Sequence, residues 1–109
     1  SHAKTGVEIA WKEDGIPRGA IIHLNHSKCG SGSGNHVTFA DGDCTAADLK
    51  KAGATFAGFG GNQGNAVKRS IYGAGTICAV RWPSEVPKPG PIQKSVNCTG
   101  AGSSGESTR

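Results

Sequence analysis

The chain has 109 residues, a formal net charge of +4, 18 glycines and four cysteines, a length that fits one domain and leaves no second core. Leu, Ile, Val and Phe together make up about 17% of it, below the ~20% that marks disordered compositions, yet the modest charge does not complete that signature. So thin an apolar inventory predicts a fold that needs covalent support, and the lack of any run of ~18 apolar residues excludes a membrane-spanning helix.

Ser1-His2-Ala3-Lys4 carries neither Met nor an apolar leader and reads as a processed or trimmed start. Val7, Ile9 and Trp11 alternate with Glu8, Ala10 and Lys12, which predicts a first strand ending at Glu13-Asp14-Gly15. After Pro17, the residues Ala20, Ile22 and Leu24 share one face of a second strand. The Asp-Gly turn between the two runs predicts that they pair antiparallel. Cys29-Gly30-Ser31-Gly32-Ser33-Gly34 is a connector, and His36 to Ala40 alternates through Val37 and Phe39 as a third strand.

Thr45-Ala46-Ala47-Asp48 is a capping-box variant that opens a helix of about three turns. In that helix Leu49, Ala52 and Phe56 face the sheet, Lys50 and Lys51 face water, and Gly58-Phe59-Gly60-Gly61 ends it. Ala66 to Tyr72 and Thr76 to Trp82 are the most strand-like runs and are expected to form a hairpin through Gly73-Ala74-Gly75 at the sheet's centre. Pro83, Pro87, Pro89 and Pro91 make the next segment an extended loop. Ile92 to Cys98 returns as a last strand, and Thr99 to Arg109, with no large apolar residue, is expected to be flexible. The order predicts an α+β domain over residues 1–98 with a tail over 99–109. Its mainly antiparallel five- to six-stranded sheet is covered by one helix and stabilised by two disulfides.

Cys29, Cys44, Cys78 and Cys98 include no Cys-x-x-Cys, so disulfides in an oxidising compartment are favoured over zinc or redox chemistry. Four cysteines allow three connectivities. The sequential one, Cys29 with Cys44 and Cys78 with Cys98, is favoured. Asn25-His26-Ser27 and Asn97-Cys98-Thr99 both fit the glycosylation acceptor pattern and agree with export.

His23, His26, Cys29 and His36 are close in sequence and chemically suited to zinc, but on a strand His23 and His26 point to opposite faces, so no metal is expected. The same histidines with Lys28, Arg69 and Glu8 are the residue types of an RNA-cleaving site, although no spacing fixes them around one phosphodiester. Neither a nucleophile elbow nor a P-loop is present, and no cofactor is expected. Lys50, Lys51, Lys68, Arg69 and Arg81 form the basic group expected to bind an anionic partner. Arg81 lies in Cys78-Ala79-Val80-Arg81-Trp82-Pro83, where a disulfide beside a proline-stiffened loop is also how a protease inhibitor presents its specificity residue.

From Lys28 to Trp82, Cys29-Gly30-Ser31-Gly32, a short strand, Cys44 with an immediate helix and a closing strand resemble part of the small secreted killer toxins of smut-fungus viruses and their fungal effector relatives. The Cys29 to Cys44 interval followed by Ala47-Asp48-Leu49 is also similar to the streptomycete subtilisin-inhibitor family, whose second disulfide precedes its reactive loop. The first resemblance implies a secreted, extracellular, non-enzymatic binding protein, an effector or toxin-like monomer. Its expected partner is a host or competitor protein or an anionic cell-surface component, with no specific nucleic acid and no membrane span. The second implies a serine protease inhibitor using the loop after Cys78. A small secreted ribonuclease is the third reading.

Overall fold

The computed structural model describes residues 6–61 and 67–99, so the tail expected over 99–109 lies, beyond Thr99, outside the described residues. The elements are β1 (Val7–Glu8), α1 (Trp11–Asp14), β2 (Ile21–Asn25), β3 (Asn35–Ala40), α2 (Ala46–Leu49), β4 (Thr55–Gly61), β5 (Val67–Gly73) and β6 (Ile77–Trp82). A single 3-10 turn, Ala74–Thr76, joins β5 to β6. The strands form one sheet in the order β1-β6-β2-β3-β4-β5, and every neighbouring pair is antiparallel.

The one long helix expected shrinks to the four-residue α2, and the first strand, expected to run through Trp11, stops at Glu8 and gives way to the four-residue α1. The N-terminal signal of α2 is real: the Thr45 hydroxyl accepts from the Asp48 N–H at 3.1 Å. The helix stops after Leu49, its one buried residue, and Gly53 at φ +74° turns the chain away. Phe56, expected on the helix, lies instead in β4 and is 1% exposed. A short apolar run at mixed spacing fits either element, and here the edge of β3 supplies a partner for a strand.

The pairing also differs from expectation. β1 and β2 are not neighbours, since β6 lies between them, and β5 sits at an edge of the sheet, separated from β6 by three strands. A flat sheet would place β5 and β6 about 19 Å apart at ~4.8 Å per step. The chain from Gly73 to Ile77 reaches at most ~14 Å, so the sheet is rolled. Across the concave side, His36 on β3 and Tyr72 on β5 are hydrogen-bonded at 3.1 Å. The core fills that concave side: Ile22, Leu24, Phe56 and Val80 from the strands meet Ile9, Ile16 and Leu49.

Sheet order also decides the disulfides, which join Cys29 to Cys78 and Cys44 to Cys98, a correction to the sequential pairing. Leu24 pairs with Ile77, so Cys29, just beyond β2, lies beside β6. Cys78 is the extra residue of a β-bulge there, which lets both Ile77 and Val80 face the core.

The segment expected as a last strand makes only an isolated bridge, Asp43 to Val96, with hydrogen bonds of 2.9 Å in both directions. It acts as a strap. The Ala57 N–H donates to the Cys98 carbonyl at 2.7 Å, and the strap thereby lies beside β4 where the β3–β4 ladder ends after two residue pairs. Ser95 anchors it to α2, accepting from the Thr45 N–H at 2.9 Å and donating to Asp48 at 2.6 Å. That Ser95 hydroxyl, followed by Lys51, holds the Asp48 carboxyl below its ordinary value. The proline segment is a loop as expected, held by the Trp82 indole N–H, which donates to the Val86 and Pro87 carbonyls.

Candidate functional site

Antiparallel pairing puts directly opposed residues on one face, which assembles a row across the convex side of the sheet. From β6 to β5 that row reads Arg81, Ile21, Phe39, Phe59 and Arg69. Beside it lie His23 and Val37, which pair with each other, and Ile71 and Val67 on β5. Ile21 and Phe59 are half-buried, whereas Phe39 is 48% exposed, Val37 45%, Ile71 47% and Val67 72%. On the other face of the same strand Thr38 is 0% and Ala40 6% exposed. The alternation through Val37 and Phe39 is therefore real, but its apolar phase faces water, which makes this surface the strongest departure from a minimal soluble fold.

Thr38 is buried because its hydroxyl donates to the Phe59 carbonyl at 2.9 Å. Its side chain also takes the space over Gly58, where an added Cβ would come within 2.4 Å of Thr38 Oγ1. With the polar residue satisfied inside, Phe39 and Phe59 oppose each other outside as a cross-strand pair.

Beyond Arg81 the row runs on to the exposed Glu8 of β1, and Arg69 closes its other end. The Arg69 Nε–H donates to Asp41, whose carboxylate also accepts from the Asn97 amide at 3.1 Å. Arg69 Nη2 and Arg81 Nε are buried without an acceptor among the described residues. His23 lies between Ala79 and Val37, and its pKa is lowered by burial and by the Arg81 charge. The face therefore has an apolar centre flanked on one side by Arg81 with Glu8 opposite it and on the other by Arg69 held by Asp41.

The five basic residues expected as one binding group divide. Arg69 and Arg81 share the outer face at opposite ends. Lys68 neighbours Arg69 along β5 but opposes Gly60 on the other face. Lys50 and Lys51, with Lys12 and Trp11, line an open depression of about 450 Å³ beside α2, and Lys51 is paired with Asp48 at 3.0 Å. Arg81 sits within β6, which is paired with β1 on one side and β2 on the other. Its backbone is thus taken up by the sheet, whereas an inhibitor loop leaves its main chain free to pair with the protease.

Of the four residues considered for zinc, Cys29 is in a disulfide and His23 is on the outer face. His26 and His36 do come together, with ring centroids 6.1 Å apart, and both adjoin Tyr72. Tyr72 stacks on Phe56, so the four rings form a column from the core to the mouth of the rolled sheet. Among the described residues no group of three or more His, Cys, Asp or Glu is placed to hold a metal ion. Lys28, Arg69 and Glu8 do not join the column.

The residues that sequence reasoning missed are Phe39, Phe59, Val37 and Ile71. Each carried an apolar strand signal, but only the phase of the pairing shows that the signal faces outward. Comparison with protein-family models, curated proteins and solved structures returns no match. No described helix is long and apolar enough to cross a membrane.

Proposed function

We propose that this chain is a secreted, non-enzymatic binding protein, effector- or toxin-like, that attaches to the surface of a host or competitor cell through the outer face of its sheet. The observation that carries the reading is the exposed Phe39, Val37 and Ile71 around the half-buried Ile21 and Phe59, between Arg81 and Arg69. Monomeric proteins rarely leave so contiguous an apolar patch open unless it meets a partner, and two disulfides that hold distant segments together fit an oxidising exterior. A fluorescently labelled protein should bind intact target cells. The Phe39→Ser/Ile71→Ser variant should lose at least ~tenfold of that binding, since each change removes an apolar contact of the order of 1–3 kcal/mol. Unchanged binding by a folded double variant would refute the assignment.

A second reading rests on the His26, His36 and Tyr72 cluster. Two imidazoles that close are suited to removing a proton from a 2′-hydroxyl and returning one to the departing 5′-oxygen, which is ribonuclease chemistry. Cleavage of single-stranded RNA by the purified chain, lost in both His26→Ala and His36→Ala, would favour this reading over a binding role.

A further inference from the structure

We infer that Asn97 is an N-glycosylation site and Asn25 is not, an inference that rests on the export proposed above and adds a covalent modification to it. Both residues stand in acceptor tripeptides, Asn25-His26-Ser27 and Asn97-Cys98-Thr99, but the fold treats them oppositely. Asn25 is 3% exposed, and its amide hydrogens serve Ser31, Ser33 and Asn35, so a sugar on that nitrogen would break a buried network. Asn97 is exposed, on a bend of the strap at φ +58°, a left-handed conformation that asparagine adopts more readily than most residues. It also lines an open depression of about 410 Å³ with Asp48, Lys51 and Ser95, so the space alongside it is not closed off by protein.

The strap does not depend on an unmodified amide. Main-chain bonds hold it on both sides of Asn97, Val96 with Asp43 at 2.9 Å and Cys98 with Ala57 at 2.7 Å, and Cys98 is tied to Cys44. The Asn97 amide nitrogen donates to Asp41 Oδ2 at 3.1 Å and, at the 3.5 Å limit, to the Asp41 carbonyl. N-linkage leaves one N–H on that nitrogen, enough for the shorter bond. The glycosyl donor is a lipid-linked oligosaccharide of the secretory pathway. The amide nitrogen bonds to C1 of the first N-acetylglucosamine as the C1–O bond to the lipid diphosphate breaks. The diphosphate leaves with that electron pair, the nitrogen gives up one proton, and nothing is oxidised or reduced. Thr99 supplies the hydroxyl that the third position of the acceptor requires.

Secretion of the full chain from a eukaryotic host tests the inference, read by intact mass before and after peptide-N-glycosidase treatment and by peptide mapping. Most exported molecules should carry a glycan at Asn97, with Asn25 bare and the Cys44–Cys98 disulfide formed. Asn97→Gln and Thr99→Ala should each abolish the enzyme-sensitive mass, whereas Thr99→Ser keeps the acceptor pattern and should retain it. The glycan is read on the chain itself, so a variant that misfolds and is held back still reports from the cell lysate. A bare Asn97 in exported, disulfide-bonded protein overturns the inference and leaves the export reading standing. A glycan at Asn25 overturns it as well. So does a glycan at Asn97 found only in molecules with Cys98 unpaired, since sugar and native strap would then exclude each other. A chain glycosylated at Asn97 but retained inside the cell supports the site and counts against secretion, and a retained chain with Asn97 bare overturns both.

Discussion

At Asn25 a glycosylation tripeptide and a buried hydrogen-bond hub occupy the same residue. Its two amide hydrogens are shared among Ser31 Oγ, the Ser33 carbonyl and Asn35 Oδ1, and its oxygen accepts from the Ser27 and Lys28 N–H groups. With 3% exposure, Asn25 organises the Gly/Ser loop between β2 and β3, and a glycan on that nitrogen is incompatible with the native fold. Mass spectrometry of the exported protein should find Asn25 unmodified. Asn25→Asp, which loses the donors, should lower stability by about 2–4 kcal/mol in a denaturant melt, reflecting more than one unmet buried group. A glycan at Asn25 or a neutral substitution would contradict the hub. At His23 the sign is equally defined. Because its folded pKa lies below the ordinary value of 6.5, its stabilising contribution is complete above that value and is lost as pH falls through the folded one. Arg81→Gln should raise the His23 pKa in an NMR titration, and an unmoved titration would show that the two are not neighbours on the outer face.

Among the elements, β2, β3, β5 and β6 were legible within one or two residues because each is a short alternating run between turn residues. Their partners were not legible, because antiparallel pairing depends on the global path and a three-residue link such as Ala74–Thr76 fits a hairpin as well as a crossing of the rolled sheet. The long-range disulfides were hidden for the same reason: spacing favours local loops, whereas Cys29–Cys78 and Cys44–Cys98 span 49 and 54 residues. Loops of that size correspond to about 4 kcal/mol each on the chain-entropy account. An unreduced digest should yield those two cross-linked pairs, and a Cys29–Cys44 peptide would overturn the sheet order. The strap has its own signature. Gly42 lies under it, where an added Cβ would come within 2.2 Å of the Asn97 carbonyl. Gly42→Ala should therefore loosen the strap and speed hydrogen exchange at Asp43 and Ala57, while unchanged exchange would mean the strap yields freely. The lowered Asp48 pKa adds a pH dependence: the stabilisation is full above 3.8 and is lost as pH falls through the lower folded value.

For the molecule as a whole, composition foretold the reliance on cross-links and an α+β, sheet-dominated fold. It did not foretell that a chain so poor in large apolar residues would spend several on its surface. The buried side of β3 is instead completed by Thr38 and Ala40 against Gly58 of β4, an economy possible because Gly58 lets the strands' polar and small groups close ranks. Phe39, Val37 and Ile71 are thereby released to the convex face, and the rolled sheet sets them between Arg81 and Arg69. The basic residues were visible in the sequence, but their division between the outer face and the α2 side follows from pairing alone. Amide NMR during titration with a target-cell surface preparation tests the central claim most directly. The account predicts shifts or broadening at Ile21, Val37, Phe39, Phe59 and Ile71 with His26, His36 and Tyr72 unaffected. Perturbation confined to the His26, His36 and Tyr72 column, with the outer face silent, would contradict it.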